Sequence, residues 1–207
     1  MKRFFLRSLI LLVMAASAAA QSGRRIVNPP PPREPVIETP VEAPSERLTP
    51  ITELSALPED LLNHELKGLD SGTFRLADFS GRVIVVNLWA TWCGPCRREV
   101  PEYEKVRKEY AGRPVEFIGL TTEDPRTATE KVKRFAHDFN FGFRLGWADR
   151  QTARMLMNGR SVIPQTLVIA GNGRIISHWN GYSSGTSRSR LRETIDRALA
   201  EGSSSPQ

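Results

Sequence analysis

Between residues 83 and 96 the chain passes from an almost unbroken apolar run, Val83-Ile84-Val85-Val86-Asn87-Leu88-Trp89-Ala90, through Thr91-Trp92 into Cys93-Gly94-Pro95-Cys96. The run is too continuous to alternate between a wet and a dry face, so it reads as a strand covered on both sides. Beyond Cys96 the apolar period changes, and Val100, Tyr103, Val106 and Tyr110 mark one stripe of a helix reaching about Tyr110. Pro101 inside that stripe predicts a kink. The only two cysteines of the 207 residues therefore stand where a buried strand hands the chain to a helix.

That placement carries chemistry. A thiolate at a helix N-terminus is stabilised by free backbone N–H groups and by the helix dipole, which lowers its pKa and raises the reactive fraction. Cys93 is expected to be an exposed nucleophile. Cys96, one turn on and on the same side of the helix, is expected to resolve the mixed disulfide formed at Cys93. Gly94 tolerates a tight backbone between the sulfurs, and Pro95 lacks an N–H where the first helical turn has donors to spare. Two duller readings compete: half a zinc site and a structural staple. Zinc would need two further ligands, and His64, His137 and His178 are isolated in the sequence. A staple closing a two-residue loop gains little from loop entropy.

Around this junction the pattern predicts a mixed sheet with helices on both faces. Short strands near Glu65 to Lys67 and Thr73 to Leu76 flank the turn-rich Leu69-Asp70-Ser71-Gly72. Val115 to Leu120 reads as a second buried strand. Asp124-Pro125 then caps a helix carrying Val132, Phe135, Ala136 and Phe139. A short strand over Phe143 to Trp147 and a helical turn near Thr152 to Met157 follow. Thr166 to Ala170 and Arg174 to Trp179 form a hairpin about Gly171-Asn172-Gly173, and Leu191, Thr194, Ile195, Ala198 and Leu199 mark a terminal helix.

The N-terminal part is of another kind. Lys2, Arg3 and Arg7 precede the apolar run Leu9 to Ala16 and the small residues Ala18-Ala19-Ala20, a secretory signal pattern too short to span a bilayer. Residues 1–20 are thus expected to be a leader. Residues 21–54 are expected to be a disordered linker, since eight of the 15 prolines fall between Pro29 and Pro50, interspersed with Glu34, Glu38, Glu42 and Glu46. The folded domain is placed at 55–201, with a flexible tail over 202–207. The chain carries 29 Lys and Arg against 23 Asp and Glu, and three of the basic residues lie in the leader, so the remaining excess is too small to argue for nucleic-acid binding, and none is expected. Export places the domain in an oxidising periplasmic or other extracytoplasmic space, tethered to the membrane if the leader stays.

Trp92-Cys93-Gly94-Pro95-Cys96 after Asn87-Leu88-Trp89-Ala90-Thr91 resembles the active site of thioredoxin-fold proteins, and more closely that of the exported TlpA/ResA-like thiol-disulfide oxidoreductases. The likeness runs roughly from Leu61 to Leu199 and includes Asp78-Phe79-Ser80-Gly81-Arg82 and Arg97-Arg98-Glu99-Val100-Pro101. It implies an α/β thioredoxin fold, a mixed central sheet flanked by helices with an N-terminal hairpin extension. It implies that Pro164, in Val162-Ile163-Pro164-Gln165-Thr166, is cis and faces the disulfide, with the backbone at Ile163 and Pro164 pairing with the substrate chain. Trp92 would shield the disulfide and line the substrate surface together with Gly94 and Pro95.

Asn87 stands where cytosolic thioredoxin has a buried Asp, and a neutral amide cannot titrate. The exported subfamily places a Glu at the end of the next strand, a position filled by Glu123, which is expected to tune the cysteine pKa values or relay a proton to Cys96. Gln165 follows the proline where Thr is usual, and Arg160 replaces a common apolar residue; His137 and His178 read as surface residues. The resemblance implies exchange of disulfides with protein thiol/disulfide substrates, in the reducing direction, supplied by a membrane-bound thiol electron donor. It implies no metal and no cofactor beyond the redox-active Cys93–Cys96 disulfide. An oxidase or isomerase using the same site, or a non-catalytic binding module, are the alternatives.

Overall fold

The computed structural model describes residues 56–70 and 72–202. The leader, the Pro-rich linker, Ser71 of the hairpin turn and residues 203–207 of the tail lie outside them. Seven strands form one mixed sheet: β1 (Leu66–Gly68), β2 (Thr73–Phe74), β3 (Val83–Trp89), β4 (Val115–Thr121), β5 (Arg144–Trp147), β6 (Gln165–Ile169) and β7 (Ile175–Asn180). Their order is β2-β1-β5-β4-β3-β6-β7. The central strand β3 pairs in parallel with β4 and antiparallel with β6, so its last residues, and the cysteines after them, emerge beside the start of β6.

All seven residues of β3 are buried, and alternation divides them between two cores. Val83, Val85 and Trp89 face one core, which α2 (Gly94–Glu109), α3 (Pro125–Asp138) and α5 (Ser187–Gly202) close with Val100, Tyr103, Val132, Phe135, Leu191 and Ile195. Ile84, Val86 and Leu88 face the other, where Leu61 of α1 (Glu59–Asn63) and Leu156 of α4 (Arg150–Leu156) pack. Helices thus cover both faces, as the continuous apolar run requires.

Local chemistry fixes the element ends. Asp124 caps α3 through its Oδ1, which accepts from Arg126 N at 2.9 Å, and Asp149 caps α4 by accepting from Thr152 N at 2.8 Å. Arg75 N donates to Asp78 Oδ2 at 2.8 Å, so the chain leaves β2 at Phe74 and turns through a 3₁₀ segment, Leu76–Phe79, where an extended strand to Leu76 is expected from sequence. In the β6–β7 turn Gly173 has φ +85°, and a Cβ on Gly171 would meet the Gly81 carbonyl carbon and oxygen at 2.8 Å. α2 runs unbroken through Pro101, whose missing N–H costs the helix one bond without interrupting it. The N-terminal hairpin extends the main sheet, because β1 pairs antiparallel with β5.

Candidate active site

Cys93 is the N-cap of α2, and its Sγ accepts a hydrogen bond from Cys96 N at 3.1 Å. The two cysteines form a disulfide, their Cα atoms 5.2 Å apart. A sulfur in this place sits against the unpaired N–H groups and positive end of a 16-residue helix, the environment that lowers a thiol pKa once the bond is opened. Cys93 is 3% exposed and Cys96 not at all, so the nucleophile is more covered than the sequence suggests. In the disulfide both residues belong to the core that Ile163 packs against.

Trp92, by contrast, is 71% exposed, and Val162, one residue ahead of Ile163, is 56% exposed. They are the large apolar side chains that the described surface presents. The Ile163–Pro164 bond is cis, as the resemblance implies, and Pro164 O accepts from Gly181 N at 2.8 Å. Gly94 meets no steric demand: a Cβ there would touch nothing within 4 Å, because the residue opens α2 in ordinary helical backbone, so the tight-backbone argument for this glycine does not hold.

Glu123 lies beyond the end of β4 with both oxygens engaged. Its Oε2 accepts from Thr91 N at 2.7 Å and its Oε1 from Thr91 Oγ1 at 2.8 Å, while Thr121 Oγ1 adds a bond at 3.3 Å. The carboxylate is therefore committed to the residue two places before Cys93, and it reaches the sulfurs through the backbone it holds.

A second carboxylate, not expected from sequence, lies under the site. Glu99 is one helical turn beyond Cys96 on α2 and fully buried. Asn87 Nδ2 of β3 donates to Glu99 Oε2 at 2.8 Å, and Glu99 Oε1 has no partner of hydrogen-bond geometry. Burial pushes the carboxyl up to about 7, against the opposing pull of Asn87 and of the Tyr103 hydroxyl. Tyr103, itself buried, accepts from Thr166 Oγ1 and Trp179 Nε1 at 3.4 and 3.3 Å, and desolvation beside Glu99 drives its hydroxyl far above the ordinary range.

Behind the cis-proline, Gln165 is 1% exposed. Its Nε2 donates to Val162 O at 2.7 Å and its Oε1 pairs with His178 Nε2 at 2.8 Å. His178 is therefore a half-buried partner of the loop, where a surface residue is expected from sequence; burial and then the charge of Arg160 push its pKa down. His137 is exposed as expected. Among the described residues no group of His, Cys, Asp or Glu is arranged to hold a metal ion.

A mixed sheet of this order, with a Cys-X-X-Cys disulfide capping the helix after its central strand and a cis-proline opposite, defines a thioredoxin-fold protein with a redox-capable pair. The Redoxin family model matches residues 49–195, and the chain belongs to that family. It is 32% identical over 110 residues to the thiol-disulfide oxidoreductase ResA of Geobacillus thermodenitrificans, covering 53% of this chain and 61% of that one. To the ResA of Geobacillus kaustophilus it is 31% identical over 116 residues, covering 56% and 63%. The chain thus spans somewhat less than two thirds of these curated relatives. Among solved structures it is similar to a thiol:disulfide interchange protein of the thioredoxin family from Chlorobium tepidum, at TM-score 0.57 and 24% identity over 65% of this chain and 92% of that one. MTB dsbF aligns at TM-score 0.57 and 20% identity, covering 69% and 99%. These likenesses establish the thioredoxin-type fold.

Proposed function

We propose that the protein is an extracytoplasmic thiol-disulfide oxidoreductase that reduces protein disulfides. The observation that carries the reading is Cys93 as N-cap of α2, its sulfur held on the Cys96 amide and bonded to Cys96 Sγ. In the reduced protein the Cys93 thiolate attacks one sulfur of a substrate disulfide, forming a mixed disulfide and releasing the first substrate thiolate. Cys96 Sγ then attacks Cys93 Sγ, which restores the intramolecular disulfide and expels the second substrate thiolate. Two electrons pass from the protein dithiol to the substrate.

The resolving thiol is buried and must lose its proton before it attacks. Glu99, one turn along α2 with an affinity near neutrality, is the group suited to receive it. Asn87 supports the ionised form with its amide, so the β3 position holds the acceptor and α2 supplies it. Glu123 acts as a positioning residue, fixing Thr91 and through it the approach to Cys93. Trp92, Gly94 and Pro95, which are exposed, and Ile163, which is partly exposed, form the surface against which the substrate chain lies, with the buried Pro164 setting the backbone behind it.

The CGPC sequence favours the reducing direction, and the ResA name of the relatives supports work on protein thiols. In an oxidising compartment the dithiol is then recharged by a membrane-bound thiol donor. Equilibration of the purified protein with defined thiol buffers tests activity and direction together. A potential near about −270 mV supports the reductant, whereas one near about −120 mV makes the protein a disulfide oxidant.

A further inference from the structure

At the end of the sheet where β3 delivers the chain to the cysteines, between the loop after β4 and the segment that runs from α4 to the cis-proline, lies a cleft of about 590 Å³. Its floor is apolar, from Ala148, Ala153 and Met157, and its walls carry Arg126, Arg150, Arg154 and Arg160 together with Glu123, Asp124 and Asp149. Asp124 pairs within the cleft with Arg126, Glu123 is bonded to Thr91, and Asp149 to His64 at 2.7 Å and to the start of α4, so four guanidinium groups face three carboxylates whose oxygens already have partners. Arg150, Arg154 and Arg160 are exposed and take part in none of the ion pairs among the described residues.

A comparable basic hollow at the opposite end of the sheet shows the contrast. There Arg82 and Arg144 share Glu116, Arg107 pairs with Glu104, and Arg113 reaches Asp196. Of these two hollows, the one at the redox end keeps guanidinium groups outside any ion pair among the described residues. Its position ties it to the reaction: Glu123 in its wall holds Thr91, two residues before Cys93, and Ser161 at its rim stands three residues before Pro164. Arg160 is near enough to the cis-proline strand to act on His178.

We propose that this cleft binds an acidic stretch of the substrate polypeptide next to the disulfide to be exchanged. The inference rests on the oxidoreductase reading above and adds the charge of the substrate to it. Arg150 and Arg154, one turn apart on α4, would take carboxylates by charge-assisted hydrogen bonds, while the apolar floor accepts the side-chain stems. The bond-making steps are those already described; the cleft contributes encounter and residence time.

The test uses the purified reduced protein and synthetic peptides, each holding one cysteine as a mixed disulfide with 2-mercaptoethanol and flanked by glutamates, glutamines or lysines. At low ionic strength the glutamate peptide is expected to react about tenfold faster than the glutamine peptide, and the lysine peptide more slowly than either. High salt should bring the three rates together. In the Arg150→Glu/Arg154→Glu protein the order of acidic and basic peptides should reverse. The readout is a ratio within one protein, which a general loss of activity leaves unchanged. Equal rates at low salt, or a preference that the double substitution does not alter, would overturn the cleft's role while reduction of bis(2-hydroxyethyl) disulfide still upheld the redox reading. Failure to reduce even that small uncharged disulfide would remove the redox reading and this inference with it.

Discussion

The amide of Asn87 and the carboxylate of Glu99 meet at 2.8 Å in the fully buried layer between β3 and α2, directly beneath the turn that carries Cys96. A buried amide needs a polar partner, and a buried carboxylate needs donors. Each answers the other, yet Oε1 of Glu99 is left without one. Burial, against the pull of Asn87 and of the Tyr103 hydroxyl, is what holds the proton on Glu99 up to about neutrality.

The raised affinity makes stability depend on pH in a definite direction. Glu99 ordinarily titrates at 4.5 and in the fold at about 7. Between those values the folded chain keeps a proton that the unfolded chain has released. The protonated carboxyl's advantage is complete below about pH 4.5 and is lost as the pH rises to about 7, an effect of roughly 3 kcal/mol. Urea unfolding of the oxidised protein at pH 4.5 and pH 8, beside Glu99→Gln, is expected to show the wild type losing stability relative to the variant on going to the higher pH. An identical gap at both values would mean that Glu99 does not titrate in this window.

The roles of the sulfurs separate cleanly by substitution. Cys96→Ser should react with a disulfide substrate and stop at the mixed disulfide, seen as a stable mass increase. Cys93→Ser should give neither adduct nor turnover, since its remaining thiol is at the fully buried position. Fast alkylation of reduced Cys93→Ser by iodoacetamide would contradict that burial.

What could be read from sequence is what local pattern encodes. The buried strand, the capped helix and the paired cysteines lie within one stretch of chain, whereas Pro164 was singled out only by the family resemblance. Glu99 was not, because in Arg97-Arg98-Glu99 a carboxylate looks like surface charge; only the packing of α2 on β3 buries it. Two signals pointed there: the i+3 spacing from Cys96, and an amide inside an otherwise apolar strand that had to be bonded to something. Gln165 and His178 were illegible for a similar reason, since they meet only through the β6–β7 register, in which Leu167 stands opposite His178. The joining of β1 to β5 likewise depends on residues about eighty apart.

Glu123 gives a prediction that distinguishes holding from proton transfer. Glu123→Ala leaves the Thr91 amide and hydroxyl without acceptors in a half-buried place and should cost about 1–3 kcal/mol, with slower exchange. Glu123→Gln keeps one carbonyl acceptor and should recover much of both. The inflection near neutrality in the pH profile for resolution of the mixed disulfide should survive in Glu123→Gln and disappear in Glu99→Gln. The reverse pattern would make Glu123 the proton acceptor.

Gln165 straps the cis-proline loop from beneath. Because its Nε2 is spent on Val162 O, its Oε1 must accept, so the neutral His178 ring carries its proton on Nε2. Gln165→Thr shortens the side chain and strands both partners, and a loss of about 1–3 kcal/mol is expected. Reaction with peptide disulfides should suffer more than reaction with bis(2-hydroxyethyl) disulfide, since only the former need the Val162–Pro164 edge in register. His178 adds a pH signature. Its pKa is lowered below the ordinary 6.5 by burial and by Arg160, so its neutral form stabilises the fold fully above about pH 6.5, and that contribution is lost as the pH falls through the folded value. Unfolding experiments from pH 8 to 5 should show the wild type losing stability relative to His178→Gln, the gain from Glu99 being common to both; a constant gap between the two proteins would mean that His178 does not titrate in this window.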